Sequence, residues 1–375
     1  MKKIFGLLSA ALFTVLAVVA PSFAADVIKI GVAGVHTGDL APFGIPTVHA
    51  AKIVAEKYNK EGGLLGKKIE LIVLDEQCKP EVATNVATSL VTSKVVGVIG
   101  HICSGATKAA LPIYKQDKIP VISPSATNPS LTKIGYPVFF RTIAPDNAQG
   151  KLQEEFIVNK LHAKRVAIIH DKGDYGKGLA TYLKNYIEKS GKAKVVLFEG
   201  ITPGAMDYSA VVQKIKRARP DVVMFGGYHP EASKIAMTMK RKRLKMPFIS
   251  DDGIKNDKFI QVAGKYAEGV YASGPKDVSG NPLYKVALNE HKKKYGTEPG
   301  AFYYNAYAAT QALFEAIKKA GTTDFAKVTH ALRTNYVETP LGKIKFDKKG
   351  EAEGVGFAVY QVKNGKFVQV YAPSK

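Results

Sequence analysis

Residues 94–123 read KVVGVIGHICSGATKAALPIYKQDKIPVIS, and residues 221–250 read DVVMFGGYHPEASKIAMTMKRKRLKMPFIS. The two stretches align without a gap at an offset of 127 positions, and nine of the thirty positions are identical. Each reads as an apolar strand, a polar turn, a helix, a basic turn with proline and a second apolar strand. Such a repeat indicates two similar α/β units, and open parallel sheets bind ligands beyond the carboxyl ends of their strands. The repeat therefore predicts two lobes with a cleft between them.

Strand and helix patterns alternate along most of the chain, which is typical of parallel sheets covered on both faces. The predicted strands are 27–34, 68–75, 95–100, 119–122, 165–170, 194–199, 221–226, 247–251 and 269–272. The predicted helices are 46–61, 81–93, 105–116, 148–160, 175–190, 208–218 and 230–242. After about residue 275 come helices at 282–295, 301–320 and 324–334, then short strands at 343–346, 356–361 and 366–371.

The tail after residue 275 has too few strands for a third α/β domain, so we assign it to the two lobes. Lobe 1 is predicted to comprise residues 26–145 with 275–354, and lobe 2 residues 146–274 with 355–375. Short runs near 137–142 and 270–276 have the length and Pro/Gly content of crossings between lobes. The predicted fold is α/β, with two doubly wound parallel-sheet lobes joined by a hinge of several crossings.

The N-terminus has the pattern of a secretory signal peptide. Lys2 and Lys3 precede an apolar stretch, and Ser22-Phe23-Ala24 has the small-x-small pattern of a cleavage site. We expect cleavage after Ala24 and an exported, periplasmic protein. A retained membrane anchor is the alternative, although the stretch is barely long enough to span a bilayer.

The chain is strongly basic, with 54 Lys and Arg against 32 Asp and Glu and a formal net charge of +22. The lysines are scattered over predicted exposed helix faces and form no aromatic-basic motif, so we expect no nucleic-acid partner. Runs such as 240–243 and 292–294 resemble solvated helix ends. Attraction to an anionic membrane surface or partner fits the charge better.

The only cysteines, Cys78 and Cys103, each follow a predicted strand and lie 25 positions apart. In an exported chain two such cysteines most simply form a disulfide. A reactive thiol at Cys103 is the alternative, and two cysteines alone are too few ligands for zinc.

Motifs for catalysis or cofactor binding do not withstand inspection. The glycines at 31–38 and 63–66 lack dinucleotide-binding and P-loop spacing, and no GxSxG or HExxH motif occurs. Four histidines fall at predicted strand ends, which could bring them near one cleft: His36, His101, His170 and His229. Hydrogen bonding at loop bends accounts for them more simply than a metal does. We therefore predict no enzyme activity, no cofactor and no metal.

Two strand-to-helix transitions carry hydroxyl groups that suit a recognition site. Ser104 to Thr107 opens a helix directly after a strand, and Ser125 to Pro129 lies at another such transition. Hydroxyls and free backbone N–H groups at a helix start favour an anion such as a carboxylate. Ordinary helix capping is the alternative at either place.

With these residues in view, the chain resembles the periplasmic leucine/isoleucine/valine-binding proteins of ABC importers, which have the type I periplasmic binding protein fold. The resemblance runs from Ile28 to about Phe367. Its landmarks are DEQCKP, VIGHICSGAT, SPSATNP, HDKGDYGKGLA, GGYHPE and PGAFYYNAYAA. They are specific for the family and less specific for the ligand.

The resemblance implies a set of ligand contacts. In the family the ligand carboxylate contacts a serine after the second cysteine and an SxT-type loop, which are matched here by Ser104, Ser125, Ala126 and Thr127. The ammonium group contacts the same loop, a tyrosine matched by Tyr228, and an acid whose place is taken by Asp252. That acid is usually glutamate, so this carboxylate is one methylene shorter.

The remaining family positions would surround the ligand side chain. Tyrosine is usual where Phe43 stands, and the other contacts are matched by Ile102, Tyr175 and Phe302. Aromatic residues on helices are more often part of the core, which remains the alternative for Tyr175 and Phe302. The family disulfide matches Cys78–Cys103.

The expected function follows from this resemblance. The protein would be a monomer that captures a branched-chain or related neutral amino acid between its lobes and delivers it to the membrane subunits of an ABC permease. Alternatives are an aromatic or other organic acid as ligand, or a sensory receptor subunit with the same fold. The repeat aligns Ser125 with Asp252, so equivalent loops would anchor opposite ends of a zwitterion.

Overall fold

The computed structural model describes residues 27–373, so the predicted signal peptide and its cleavage site lie outside the described residues. A first sheet contains five parallel strands in the spatial order β2-β1-β3-β4-β5. Its strands are β1 (Val27–Gly34), β2 (Lys68–Asp75), β3 (Val98–Ile99), β4 (Val121–Ser123) and β5 (Phe139–Arg141). The helices between them are α1 (Ala41–Lys60), α2 (Pro80–Thr92), α3 (Ser104–Gln116) and α4 (Ser130–Lys133).

The second sheet contains seven strands, of which the five that come first in the chain are parallel. These are β6 (Arg165–His170), β7 (Lys194–Gly200), β8 (Val222–Gly226), β9 (Phe248–Ser250) and β10 (Tyr271–Pro275). The helices around them are α5 (Asp146–Asn159), α6 (Gly176–Ser190), α7 (Ser209–Ala218), α8 (His229–Arg241) and α9 (Asp257–Ala263). Short 3-10 turns occupy Asp252–Ile254 and Gly264–Ala267.

The C-terminal part returns to both sheets. Helices α10 (Pro282–Tyr295), α11 (Tyr303–Ala320) and α12 (Phe325–Thr334) form a layer in which α11 packs on α1. A small antiparallel hairpin, β11 (Val337–Thr339) and β12 (Gly342–Ile344), joins neither large sheet. Strands β13 (Phe357–Lys363) and β14 (Lys366–Tyr371) then extend the second sheet antiparallel to β10, giving the order β14-β13-β10-β9-β8-β6-β7.

The predicted fold class, two doubly wound parallel sheets, is confirmed. The chain passes between the sheets three times: after β5, after β10 and after β12. The expectation that runs 137–142 and 270–276 are themselves crossings is wrong, because they form the sheet strands β5 and β10. Their apolar residues are buried in the sheets, and the crossings follow them.

The core lies on both faces of each sheet, as the two-residue period of a strand requires. Val121 packs in a cluster with residues of α2 and α3, whereas its neighbour Ile122 packs in a cluster with α1 and α11. In the second sheet Ile168 packs toward α5 and α6, and Ile169 toward α7 and α8. Near-continuous apolar strands are therefore needed, as the sequence pattern predicted.

The repeat is present with one difference of register. Val98 pairs with Val121 in the first sheet, whereas Val223 pairs with Phe248 in the second. The gapless alignment equates Val98 with Phe225, so the first strand of the unit is displaced by two residues between the sheets. A two-residue displacement keeps each side chain on its original face, which explains why both sequences remain compatible with one unit.

Candidate functional site

A small cavity lies where the carboxyl ends of the strands of the two sheets face each other. It is lined by Gly253 and by eight of the ten predicted ligand residues. These eight are Phe43, Ile102, Ser104, Ser125, Tyr175, Tyr228, Asp252 and Phe302. The other two, Ala126 and Thr127, are buried in the same loop as Ser125 but do not line the cavity. A larger open hollow beside α11, α12 and the hairpin contains none of these residues.

The first sheet presents hydroxyl groups to the cavity. Ser104 is the first residue of α3 and Ser125 follows β4, so the adjacent parallel strands β3 and β4 bring both to one edge. Ser125 Oγ donates to the Ile102 carbonyl at 2.8 Å, and Ser104 Oγ accepts from the backbone N–H of Asn128 at 3.3 Å. Because a hydroxyl that accepts one bond still has its own proton to donate, Ser104 can donate to an anionic group.

A buried arginine that the sequence analysis missed supports this loop from behind. Arg141, at the end of β5, is completely buried and forms a bidentate pair with Glu351. Its Nη1 donates to the carbonyls of Ala126 and Asn128 at 3.1 and 3.0 Å, and its Nη2 also donates to Thr132 Oγ1 at 3.3 Å. All three nitrogens of the guanidinium therefore have partners, which a buried charge requires. The signal in the sequence is a single charge that ends the apolar run VFF.

The second sheet presents one carboxylate to the cavity. Asp252 Oδ1 accepts from Tyr175 Oη at 2.6 Å and from Gln149 Nε2 at 2.8 Å. Burial raises the pKa of Asp252, and these two hydrogen bonds oppose that rise. Gln149 lies on α5, which begins directly after the first crossing, and no local sequence pattern marked it.

The neighbouring Asp251 has a structural role. Its carboxylate accepts from the backbone N–H groups of Gly227 at 2.9 Å and Gly253 at 3.1 Å, which holds the turn after β9. Gly253 also lines the cavity, and the position requires glycine because a Cβ there would lie 2.3 Å from the Gly227 carbonyl oxygen. Because the Asp251 carboxylate is bonded to the backbone, Asp252 is the acid of this turn that faces the cavity.

A third buried carboxylate, Asp146, lies at the start of α5. Burial raises its pKa to about 8. Thr127 lies close enough to oppose this rise, but outside hydrogen-bonding geometry, so both Asp146 oxygens and Thr127 Oγ1 lack partners among residues 27–373. The cavity region therefore contains buried carboxyl groups whose ionised forms the surrounding groups only partly stabilise.

Aromatic rings form the remaining wall. The ring of Phe43 lies 6.1 Å from that of Tyr228 and 5.8 Å from that of Phe302, and the rings of Tyr175 and Tyr228 are 5.2 Å apart. Such separations are typical of favourable aromatic pairs. With Ile102, these side chains give the cavity an apolar end.

The disulfide is confirmed. Cys78 and Cys103 are bonded with their Cα atoms 5.5 Å apart, so the reactive-thiol alternative is wrong. The bond ties the turn after β2 to the N-cap of α3. Cys78 Sγ lies 3.9 Å from the Tyr228 hydroxyl, so the disulfide packs behind the aromatic wall.

Three of the four strand-end histidines have local partners, whereas the buried Nε2 of His36 has none among residues 27–373. The buried imidazole of His101 is bonded to Glu76 and, at 3.0 Å, to the Tyr114 hydroxyl. His229 packs on Phe43 at 5.5 Å, and burial lowers its pKa to about 4. Residues 27–373 contain no group of three or more His, Cys, Asp or Glu placed to hold a metal.

Two parallel-sheet units whose strand ends enclose one cavity, with hydroxyls on one side and a carboxylate on the other, define a bilobed solute-binding protein. The chain belongs to the periplasmic binding protein family, whose model matches residues 27–366. No helix among the described residues is both long and apolar enough to cross a membrane.

Named relatives cover most of the chain. A leucine-, isoleucine-, valine-, threonine- and alanine-binding protein of Pseudomonas aeruginosa is 38% identical over 340 residues, which is 91% of each chain. The Leu/Ile/Val-binding protein of Escherichia coli is 35% identical over 336 residues, covering 90% of this chain and 91% of that protein.

Solved structures of the same fold agree. A leucine binding protein, LivK, from Thermotoga maritima has a TM-score of 0.85 at 28% identity, covering 92% of this chain and 97% of that one. LivJ from Streptococcus pneumoniae, solved in complex with isoleucine, has a TM-score of 0.82 at 29% identity, covering 92% of this chain and all of that one. These relatives are binding proteins and not enzymes, and the chain has the same non-catalytic, binding-protein role.

Proposed function

We propose that the protein captures a branched-chain or related neutral amino acid in the cavity and delivers it to an ABC permease. The proposal rests on one observation: hydroxyl groups on one side of a partly apolar cavity face a carboxylate on the other side. Asp252 faces the cavity from the second sheet, and Ser104 and Ser125 face it from the first. A zwitterion satisfies both sides, because a buried charge is costly unless it is paired.

The apolar end of the cavity sets the class of ligand side chain. Phe43, Ile102 and Phe302 offer no charged group to a ligand. Relatives whose names specify leucine, isoleucine and valine support the same class. A plain organic acid fits less well, because its carboxylate would share a small cavity with the Asp252 carboxylate, and like charges repel.

The location and the domain organisation of the protein are proposed from its family and from its N-terminal sequence. We propose export to the periplasm with cleavage after Ala24, a monomeric protein, and lobes at 26–145 with 275–354 and at 146–274 with 355–375. Periplasmic relatives and the pattern of residues 1–24 support export. N-terminal sequencing of the mature protein tests the cleavage site, since any first residue other than Ala25 contradicts it.

Calorimetry on refolded, ligand-free protein tests the ligand class. We expect leucine, isoleucine or valine to bind, and two fragments of leucine to bind far more weakly: 4-methylpentanoate, which lacks the amino group, and 3-methylbutylamine, which lacks the carboxylate. Equal affinity for 4-methylpentanoate and leucine would identify an organic-acid binder. Absence of heat with every natural amino acid would refute the proposal.

Replacement of the cavity acid tests the residue that carries it. Asp252→Asn keeps the shape of the side chain and removes its charge, so we expect amino-acid binding to weaken by about 2–5 kcal/mol, roughly thirty- to several thousand-fold. Asp207→Asn, which changes an exposed carboxylate, is the matched control and should leave the affinity unchanged. Full affinity in Asp252→Asn contradicts the assignment.

A further inference from the structure

Thirteen of the 54 basic residues of the chain cluster at one edge of the second sheet. Parallel strands begin at this edge and the helices that cover them end there, opposite the cavity. Four segments meet at it: 164–165 (KR), 189–194 (KSGKAK), 216–219 (KRAR) and 240–245 (KRKRLK). Together they contain thirteen basic residues and no acidic residue. We call these four segments the basal face.

Backbone contacts show that the segments are neighbours. Arg165 donates to the carbonyls of Ala218 and Arg219 at 2.7 and 2.9 Å, which joins the first segment to the third. The backbone N–H of Lys194 donates to the carbonyl of Lys164 at 2.9 Å, which joins the second. The fourth segment ends α8 and leads into β9, which pairs with β8. Of the thirteen basic residues, only Arg165 and Lys242 are partly buried, and the others are exposed.

Nearby carboxylates, which include Asp207 beside Lys242, offset only part of this charge. Asp221 accepts from the backbone N–H groups of Lys164 and Arg165 at 2.8 and 2.9 Å, so it is used by the main chain. Glu188 pairs with Lys184, one turn before the second segment. In the part of the chain that the structure describes, none of the thirteen side chains forms an ion pair with a carboxylate.

Helix ends account for only a small part of the charge. Basic residues favour helix C-termini, but each terminus is equivalent to about half a negative charge. The three helices that end at the basal face, α6, α7 and α8, therefore offset roughly 1.5 charges of thirteen. Nor do all helices in this chain end in basic residues, since α2 and α5 have none in their last turn.

We propose that the basal face binds the surface of a membrane that contains anionic phospholipids. Clustered lysines and arginines are attracted to such a surface within a Debye length of it. Single-stranded nucleic acid fits less well, because its binding sites use aromatic stacking platforms and the four segments contain no aromatic residue. The one large apolar residue in them, Leu244, is buried, so attachment is electrostatic and without insertion. The cavity lies at the opposite edge of the sheet, so a surface bound to the basal face does not cover it.

Sedimentation with lipid vesicles tests this proposal on the full-length mature protein. We expect at least a tenfold larger bound fraction on vesicles with about 30 mol % phosphatidylglycerol than on pure phosphatidylcholine, and release at about 500 mM salt. The variant Lys240→Gln/Arg241→Gln/Arg243→Gln/Lys245→Gln should lose most of this binding. Its far-UV circular dichroism spectrum should be unchanged, which shows that it is folded.

A matched control separates a local surface from total charge. Lys285→Gln/Lys293→Gln/Lys348→Gln/Lys349→Gln removes the same charge from exposed positions in the part of the chain between β10 and β13. It should bind phosphatidylglycerol vesicles like the unmodified protein. Equal loss in both variants, equal binding to both lipids, or binding that resists high salt would overturn the proposal. So would tight binding to the soluble polyanion heparin without vesicle binding. None of these outcomes depends on which amino acid the cavity takes.

Discussion

At the scale of single residues, Arg141 is a buried charge that several hydrogen-bond partners must satisfy. A fully buried guanidinium is costly unless its donors are used, and here they are divided between Glu351 and the carbonyls of the 125–128 loop. Glu351 lies in the third crossing, whereas the loop carries the hydroxyls that face the cavity. Arg141 therefore links the crossing segments to the proposed carboxylate anchor, although it does not line the cavity itself.

Arg141→Lys should weaken ligand binding. Lysine keeps the charge but lacks the planar fork, so the loop loses at least one carbonyl contact to a charged group. A contact of this kind is worth about 1.5–3 kcal/mol, so we expect the Kd, measured by calorimetry, to rise by roughly tenfold or more.

Glu351→Gln is the companion variant. It removes the partner charge but leaves the bonds from Arg141 to Ala126 and Asn128 in place. We expect it to lower the urea midpoint with a smaller effect on Kd. If both variants lower stability and neither changes Kd, Arg141 does not position the loop.

At the scale of elements, the unit of two strands and a helix occurs twice, and the N-terminus of its helix is held differently in each copy. In the first sheet a disulfide fixes the N-cap of α3, and in the second α8 begins with His229 and Pro230. Proline suits this first turn because its missing N–H would have had no helical partner. The two helix starts therefore lie at equivalent places but are held by different means.

Removal of the disulfide should destabilise the fold. It closes a loop across 25 positions, so Cys78→Ala/Cys103→Ala should lower the free energy of unfolding by about 3 kcal/mol in the chain-entropy model. Urea denaturation of oxidised and variant protein measures this difference. Thiol titration of the denatured, unreduced protein should find no free thiol. Two titratable thiols would contradict the bond.

At the scale of the whole molecule, the described conformation encloses carboxyl groups whose burial is only partly offset by the nearby cations Arg141 and Lys255. Burial raises the pKa of Asp146 to about 8 and raises that of Asp252. A raised pKa in the closed conformation means that closure without ligand favours the protonated acids and is disfavoured as the pH rises. The ammonium group of a ligand supplies the missing charge, so ligand and closure favour each other.

The ligand-free protein should therefore be more open at about pH 8 than at about pH 5, with the radius of gyration from X-ray scattering as the measurement. Saturating leucine should remove the difference. Asp146→Asn should reduce the difference between the two pH values. General acid expansion would instead increase the radius of gyration at the lower pH, so the two effects can be told apart. A scattering profile that is independent of pH, or that opens on acidification, would contradict this coupling.

Much of the fold followed from local pattern. Strands at 27–34, 68–75 and 165–170 have the predicted bounds, because a run of buried apolar residues between turns allows few other structures. The strand at 95–100 was shortened to β3, and α1 begins five residues before its predicted start, since tertiary contacts decide where an element ends.

By itself, the sequence determined the repeat, the alternation of strands and helices, the cysteine pair and, through its resemblance, the residues that meet at the cavity. Only the tertiary structure decided which buried polar groups support them. Gln149 reaches Asp252 across 103 positions and Arg141 reaches Glu351 across 210. Apolar burial leaves a period that can be read along the chain, but a buried charge or amide is satisfied by whatever group the fold brings within 3 Å of it, and that distance has no local signature.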